Sequence, residues 1–291
     1  MPAMLARWGF SALWNPDIMI GVVVIGALYA WAVGPLRRKL GKELPVPTGQ
    51  QVAFYLALFL LYLAVGSPLD VISDHYLFSA HMLQHMMLAV VVAPLLLIGS
   101  PAWFWRPIYQ APVLGRLLSF LTRPVIAVVV FNVLFSYMHF PGFYELSLRN
   151  PTVHFFEHAT ILVTALFMWW PVFSPLPELP ALADPIKILY LFVDGLLMMV
   201  AFATITFAPT PLYTFYEQAP RLIPGLSPLE DQQVGGLVMH YMTLLAYGTA
   251  TLWAFWRWAR GERMKEEFGL LPRPEGRAKP QTHGSWNRGA H

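Results

Sequence analysis

The 291-residue chain contains no cysteine. Disulfides, thiolate metal sites, iron–sulfur clusters and cysteine nucleophiles are therefore excluded, and any transition metal must be held by His, Met, Asp, Glu or backbone. Charge is scarce too. Only 12% of the residues are Asp, Glu, Lys or Arg, where a soluble domain carries about 25%. The formal net charge of +3 gives no basis for a nucleic-acid partner. No Walker A sequence, Gly-rich dinucleotide loop or nucleophile elbow is present. What fills the chain instead is apolar: 57% of it is hydrophobic and the mean hydropathy is +0.52. That balance belongs to a polytopic membrane protein.

A span needs about 20 mostly apolar residues. Seven stretches qualify, near 16–34, 51–67, 76–99, 124–140, 152–173, 185–207 and 234–257. The expected fold is an all-α bundle of seven transmembrane helices occupying 1–258. The basic tail that follows, 259–291, is rich in charge, Gly and Pro and is expected to be disordered. Pro141 and Gly142 stop the fourth span. Residues 103–120 are too broken by Pro and Arg to cross, and are expected along the interface with Trp103 and Trp105 at headgroup level. Arg37, Arg38 and Lys39 follow the first apolar run, whereas a signal peptide carries its charge ahead of it, so an uncleaved helix is expected. With the N-terminus outside, only Arg7, Arg149 and Arg221 of the 19 Lys and Arg fall on the outer face. The positive-inside rule then puts the tail in the cytoplasm.

This orientation gives the histidines meaning. Two of the nine, His283 and His291, lie in the tail and carry no assigned role. The rest gather toward the outer face. His75 precedes the third span, and His81 and His85 open it. His139 ends the fourth, His154 and His158 open the fifth, and His240 lies about two turns into the seventh. "HMLQH" (81–85) and "HFFEH" (154–158) share an i,i+4 spacing, which puts both imidazoles of a pair on one helix face, so that they can share one ion or sit beside two. Gln84 shares the first face and Glu157 the second, while Asn132, Ser136 and His139 share a third. Such faces turn inward, because polar groups facing lipid are costly. A lone intramembrane histidine is usually a packing residue; two pairs in one leaflet point to a metal site. The candidate ligands are His81, His85, His139, His154, His158 and His240. His75, Met82, Met86, Met138, Met239, Glu157 and Asp194 are accessory candidates, although methionine is also the common filler of apolar helices. Asp194, in mid-span, reads either as a proton or cation relay or as a paired structural group. Asp70, Asp74, Glu145 and Glu217 fall in outer loops and are expected to be solvated.

Imidazole suits zinc, copper, iron and nickel, and neighbouring thioethers shift the balance toward Cu(I). Zinc is the alternative, with Glu157 as a carboxylate ligand. A bis-His haem needs imidazoles on opposite faces of its ring, which two histidines one turn apart on a single helix do not supply. A redox protein with haem or a di-metal centre, and a proton-coupled transporter using Asp194, stay as alternative readings.

"HMLQHMMLAVVVAPLLLIGSP" (81–101), with its proline-terminated apolar run after the paired histidines, resembles the signature helix of the Bacillus-type CtaG family, assembly factors of cytochrome c oxidase. "FNVLFSYMHFPGFYELSLRNPTVHFFEHATILVTALFMWWPV" (131–172) and "GGLVMH" (235–240) are similar to it too, and the likeness covers roughly 15–258. The resemblance implies a multi-pass protein of the bacterial inner membrane that is not an enzyme. It would hold or deliver copper, as Cu(I) or Cu(II), at the outer face for a haem-copper oxidase. The implied partners are the lipid bilayer, an oxidase subunit and a periplasmic copper donor, with a homo-oligomer left open and no nucleic acid. Carried over by position, its motif histidines are His81, His85, His139, His154, His158 and His240. A single-span copper chaperone that shares the family's name uses essential cysteines and is excluded here.

Overall fold

The computed structural model describes residues 7–10, 13–39 and 45–267, and among the described residues there are helices and no strand. In chain order the main helices are α1 (Pro16–Lys39), α2 (Thr48–Val65), α3 (Pro68–His75), α4 (Phe78–Gly99), α5 (Ala102–Gln110), α6 (Leu114–Leu121), α7 (Pro124–Met138), α8 (Pro141–Arg149), α9 (Pro151–Phe173), α10 (Asp184–Thr206), α11 (Thr214–Gln218) and α12 (Pro228–Glu267). Five of them, α1, α2, α4, α9 and α10, are long and apolar enough to cross a membrane, and α6 with α7, bent by 84° at their junction, makes a sixth if the pair is one span. The stretch expected as a seventh span, 234–257, lies within the 40-residue α12. That helix has the length, but its Gly, Thr and Tyr residues and His240 leave it less apolar than the others.

Residues 103–120 form the short helices α5 and α6, and the Trp105 ring packs edge-on against Trp170 at 4.9 Å. The stretch expected to be a disordered tail begins as helix, because α12 continues to Glu267 with Lys265 Nζ paired to Glu262 Oε1 at 2.8 Å across one turn. Residues 268–291, with His283 and His291, lie outside the described residues.

The helix α4 is the centre of the bundle. Some 67% of its apolar window is buried, against 6% for α1, which turns its sides outward. It packs on α2, α9 and α12, and the close approach has sequence causes. At Gly99 a Cβ would lie 2.6 Å from the Phe54 backbone nitrogen of α2, and Gly235 of α12 faces the Phe78 ring. Inside α4 the backbone widens into a π turn over Met87–Val92. Pro94, just beyond, has no N–H to give to the preceding turn, and its ring crowds that turn's carbonyls. Trp169 Nε1 of α9 donates to the Ala89 carbonyl within the wide turn at 2.9 Å, satisfying a backbone group that no water reaches in a bilayer.

One end of the bundle gathers alternating helix ends. Asn15 at the start of α1 donates to Asp70 Oδ2 of α3 at 3.1 Å. Gln84 in α4 donates to the carbonyl of Ala64, at the end of α2. Tyr213 donates to the carbonyl of His139, which ends α7, and Gln232 of α12 to that of Ile205, near the end of α10. The basic residues Lys187 and Arg257 meet Asp184 at the other end, at 2.9 and 3.4 Å.

Candidate metal centre

Local sequence fixes where the two histidine pairs begin. On α9, Asn150 caps the helix: its Oδ1 accepts from the backbone N–H of Thr152 at 3.0 Å and of Val153 at 3.3 Å, with Pro151 at the first helical position. His154, Glu157 and His158 then share one face in the first two turns. The cap of α4 comes from far along the chain. "SPLED" (227–231) starts α12 with Ser227 and Glu230 bonded reciprocally. Asp231, 1% exposed, is thereby aimed at α4. Its carboxylate accepts from Phe78 N at 2.7 Å, Ser79 N at 3.3 Å and Ser79 Oγ at 2.5 Å.

Between these caps four imidazoles converge. Ring centroids lie 4.4 Å apart for His81–His85, 4.3 Å for His154–His158, 5.2 Å for His81–His154, 5.5 Å for His81–His158 and 5.1 Å for His85–His158. Two groups bring one donor atom from each residue within 4.8 Å of the others: His81 with His154 and His158, and His81 with His85 and Glu157. His81, His85 and Glu157 are 0% exposed. His154 Nε2, His158 Nε2 and both Glu157 oxygens are buried with no hydrogen-bond partner. Orphaned buried donors and acceptors of this kind call for a ligand or ion.

The surrounding hydrogen bonds assign the tautomers. His139 Nδ1 donates to the Phe135 carbonyl at 2.7 Å, which leaves its Nε2 as an acceptor. His85 Nδ1 faces that atom at 3.3 Å and donates to it, so His85 Nε2 is a lone pair. Tyr216 gives its hydroxyl proton to the Ser73 carbonyl at 2.6 Å. Its oxygen, 3.4 Å from His81 Nδ1, therefore accepts, and His81 Nε2 is a lone pair as well. The two Nε2 lone pairs are 2.8 Å apart. Such a pair repels unless a cation or proton lies between them.

His139 is thus brought to the cluster, but behind His85 and with both ring nitrogens engaged. His240 is not brought into either group; its ring faces Phe202 of α10 at 6.4 Å. His75, at the end of α3, is exposed and stacks on Trp8 at 4.4 Å. Met82, Met86, Met138 and Met239 are buried in the main apolar core. Asp194 is paired: Asn132 Nδ2 donates to Oδ1 at 2.5 Å and the Tyr247 hydroxyl to Oδ2.

The expectation of solvated acids at 70 and 74 is corrected. Both lie on α3, folded over the cluster. Asp74 Oδ2 is 3.3 Å from His154 Nδ1, and Oδ1 is 3.9 Å from His81 Nδ1. Asp70 Oδ1 accepts from Gln84 at 3.0 Å. Burial pushes the Asp70 carboxyl up to about 7, with the Asp74 charge adding to the effect, and burial does the same to Asp74. A carboxylate behind the Nδ1 of a histidine, leaving Nε2 for a metal, is the usual outer-shell arrangement of metal sites. The one sequence signal for it was that Asp70 and Asp74 sit one helical turn apart, just ahead of "HMLQH". Glu145, the third acid expected to be solvated, accepts from Thr214 N at 2.7 Å and so docks α11 on α8.

Two curated relatives are each 27% identical over 283 residues: an uncharacterized protein, Mb0105, of Mycobacterium bovis and another, MT0111, of Mycobacterium tuberculosis. The match takes in 90% of this chain but 41% of theirs, so the chain spans about two fifths of the length of these relatives. No solved structure matches it. The family described as cytochrome c oxidase caa3 assembly factor (Caa3_CtaG) matches residues 27–261, which take in every histidine of the cluster and run from the middle of α1 to near the end of α12. The chain belongs to that family of cytochrome c oxidase assembly factors.

Proposed function

We propose that the protein holds a copper ion in the histidine cluster at the outer face of the bacterial inner membrane and passes it to a haem-copper oxidase subunit during assembly. The observation that carries this reading is the approach of His81 Nε2 and His85 Nε2, 2.8 Å apart and completely buried. The orphaned atoms of His154, His158 and Glu157 beside them supply the rest of a ligand set. The histidine ligands would be drawn from His81, His85, His154 and His158, with His139 and Asp74 setting ring orientation from behind. Glu157 gives zinc, or copper as Cu(II), a specific claim on the same site, since a carboxylate suits these ions better than Cu(I). Nothing in this role requires turnover, so the protein acts by binding and release rather than as an enzyme. A periplasmic copper donor and an oxidase subunit are the partners that such a role needs.

The same reading includes seven passes, with α12 as the seventh and α6–α7 as the fourth. The alternation of helix starts and ends around the cluster supports this count. An outer N-terminus follows from the Lys and Arg distribution. The test is metal analysis by mass spectrometry on purified wild type, His81→Ala and His158→Ala, with folding checked by thermal unfolding. Near-stoichiometric copper in wild type, lost from folded variants, supports the reading. Full copper in both variants rejects the site, and zinc in place of copper shifts the metal.

A further inference from the structure

Beside the cluster lies a cavity of about 880 Å³, bounded by α1, α2, α3 and α9 and open to the surface. Much of its wall is apolar, but three carboxylates, Asp17, Asp70 and Asp74, and two imidazoles, His154 and His158, face it. His81, His85 and Glu157 do not line it and are fully buried. The two ligand groups therefore differ in access: His154 and His158 border the cavity, whereas His85 and Glu157 lie behind them. His81 belongs to both groups. It has one nitrogen to offer, because its Nδ1 faces Tyr216 and Asp74. The two groups are thus alternative positions for one ion rather than two simultaneous sites.

We propose that this cavity is the access route for the metal cation, which is held first by His154, His158 and His81 and then passes inward to His81, His85 and Glu157, with His81 retaining it throughout. This rests on the reading of the cluster as a metal site. Carboxylates at the mouth raise the local cation concentration, and the low-dielectric walls focus their field. Asp74 stands at the junction, facing the cavity and bonded to the ring of His154 at once. The methionines take no part in the route, since they pack in the core.

The test uses the full-length protein and Cu(I) presented as a complex with a chromophoric chelator, whose absorbance reports transfer. Ala159→Phe narrows the cavity without touching a ligand. Asp17→Asn combined with Asp70→Asn removes charge at the mouth and keeps one of the two oxygens that accept from Gln84 and Asn15, so its folding is checked by thermal unfolding. Both variants are expected to reach the wild-type copper content while loading about tenfold or more slowly. Should Ala159→Phe fail to fold, the double Asn variant carries the test. Wild-type loading rates in the folded variants overturn the proposal. Slowing seen in lipid bilayers but absent in detergent identifies an acyl chain in the cavity and overturns it as well. For the second position, Glu157→Gln loaded with Cu(II) is expected to keep its copper but release it to excess chelator about tenfold or more faster than wild type; an unchanged release rate overturns the two-position scheme. A wild-type protein that takes up no copper and no zinc overturns the metal reading itself, an outcome distinct from all of these.

Discussion

The cap that α12 lends to α4 can be tested without any metal. Asp231→Ala leaves the first N–H groups of α4, that of Phe78 fully buried and that of Ser79 partly so, without their partner. Losing a helix cap costs about 1 kcal/mol. The bond from the Ser79 hydroxyl to an ionised carboxylate adds about 1.5–3 kcal/mol. The sum, about 2.5–4 kcal/mol, corresponds to a fall in Tm of roughly 5–15 °C by the scaling for domains of this size. Asp231→Asn keeps one acceptor and should lose about half as much. The assay is thermal unfolding of the purified protein in detergent, followed by tryptophan fluorescence. Trp169, bonded to the Ala89 carbonyl of α4, is a reporter within the affected region. If both variants melt within about 2 °C of wild type, the carboxylate does not secure α4 and the argument for how His81 is placed fails.

Other outcomes follow from the same geometry. Asp74→Ala should weaken metal binding by about 10–100-fold in competition titrations while leaving Tm nearly unchanged, since its carboxylate orients His154 from behind. His139→Leu should produce a similar loss of affinity through His85, and retention of affinity would show that His85 needs no support. Gly99→Ala should destabilise by about 1–3 kcal/mol or more, read as a lower Tm, because the new methyl meets the α2 backbone rather than a side chain that can swing away. Asp194→Leu should destabilise more than Asp194→Asn, since only the amide still offers an acceptor to Asn132 and Tyr247; equal effects would argue that the carboxylate charge itself is what the bundle requires.

How legible all this was in the sequence depended on whether the cause was local. Long apolar runs announced α1, α2, α4, α9 and α10, because the bilayer demands length and apolarity of each span by itself. The i,i+4 pairs in "HMLQH" and "HFFEH" announced their own faces for the same reason, and the pairs do meet. What was illegible came from elsewhere in the fold. Asp74 and Asp70 look like any solvated loop acids until α3 folds over α4. Asp231 caps a helix that begins some 150 residues earlier in the chain. His240 shares the composition of the cluster but faces Phe202, since its azimuth is set by how α12 packs on α10, which no short pattern encodes. The helical start of the tail is illegible in a composition rich in charge, Gly and Pro, because pairs one turn apart such as Glu262–Lys265 carry α12 onward.

The wide turn over Met87–Val92 separates the two halves of α4 in phase. A π turn takes in one residue more than an α turn, so the segment above it is rotated by about 100° relative to an uninterrupted helix. The face carrying His81 and His85 and the face seating the lower half against α2 and α9 are therefore set independently. Deleting one residue there would straighten the helix, and with its lower half still docked it would swing both imidazoles away from His154 and His158. The spacing between the paired histidines and the docked lower half of α4 is thus a counted quantity in this protein, tolerant of many substitutions and intolerant of a single-residue change in length.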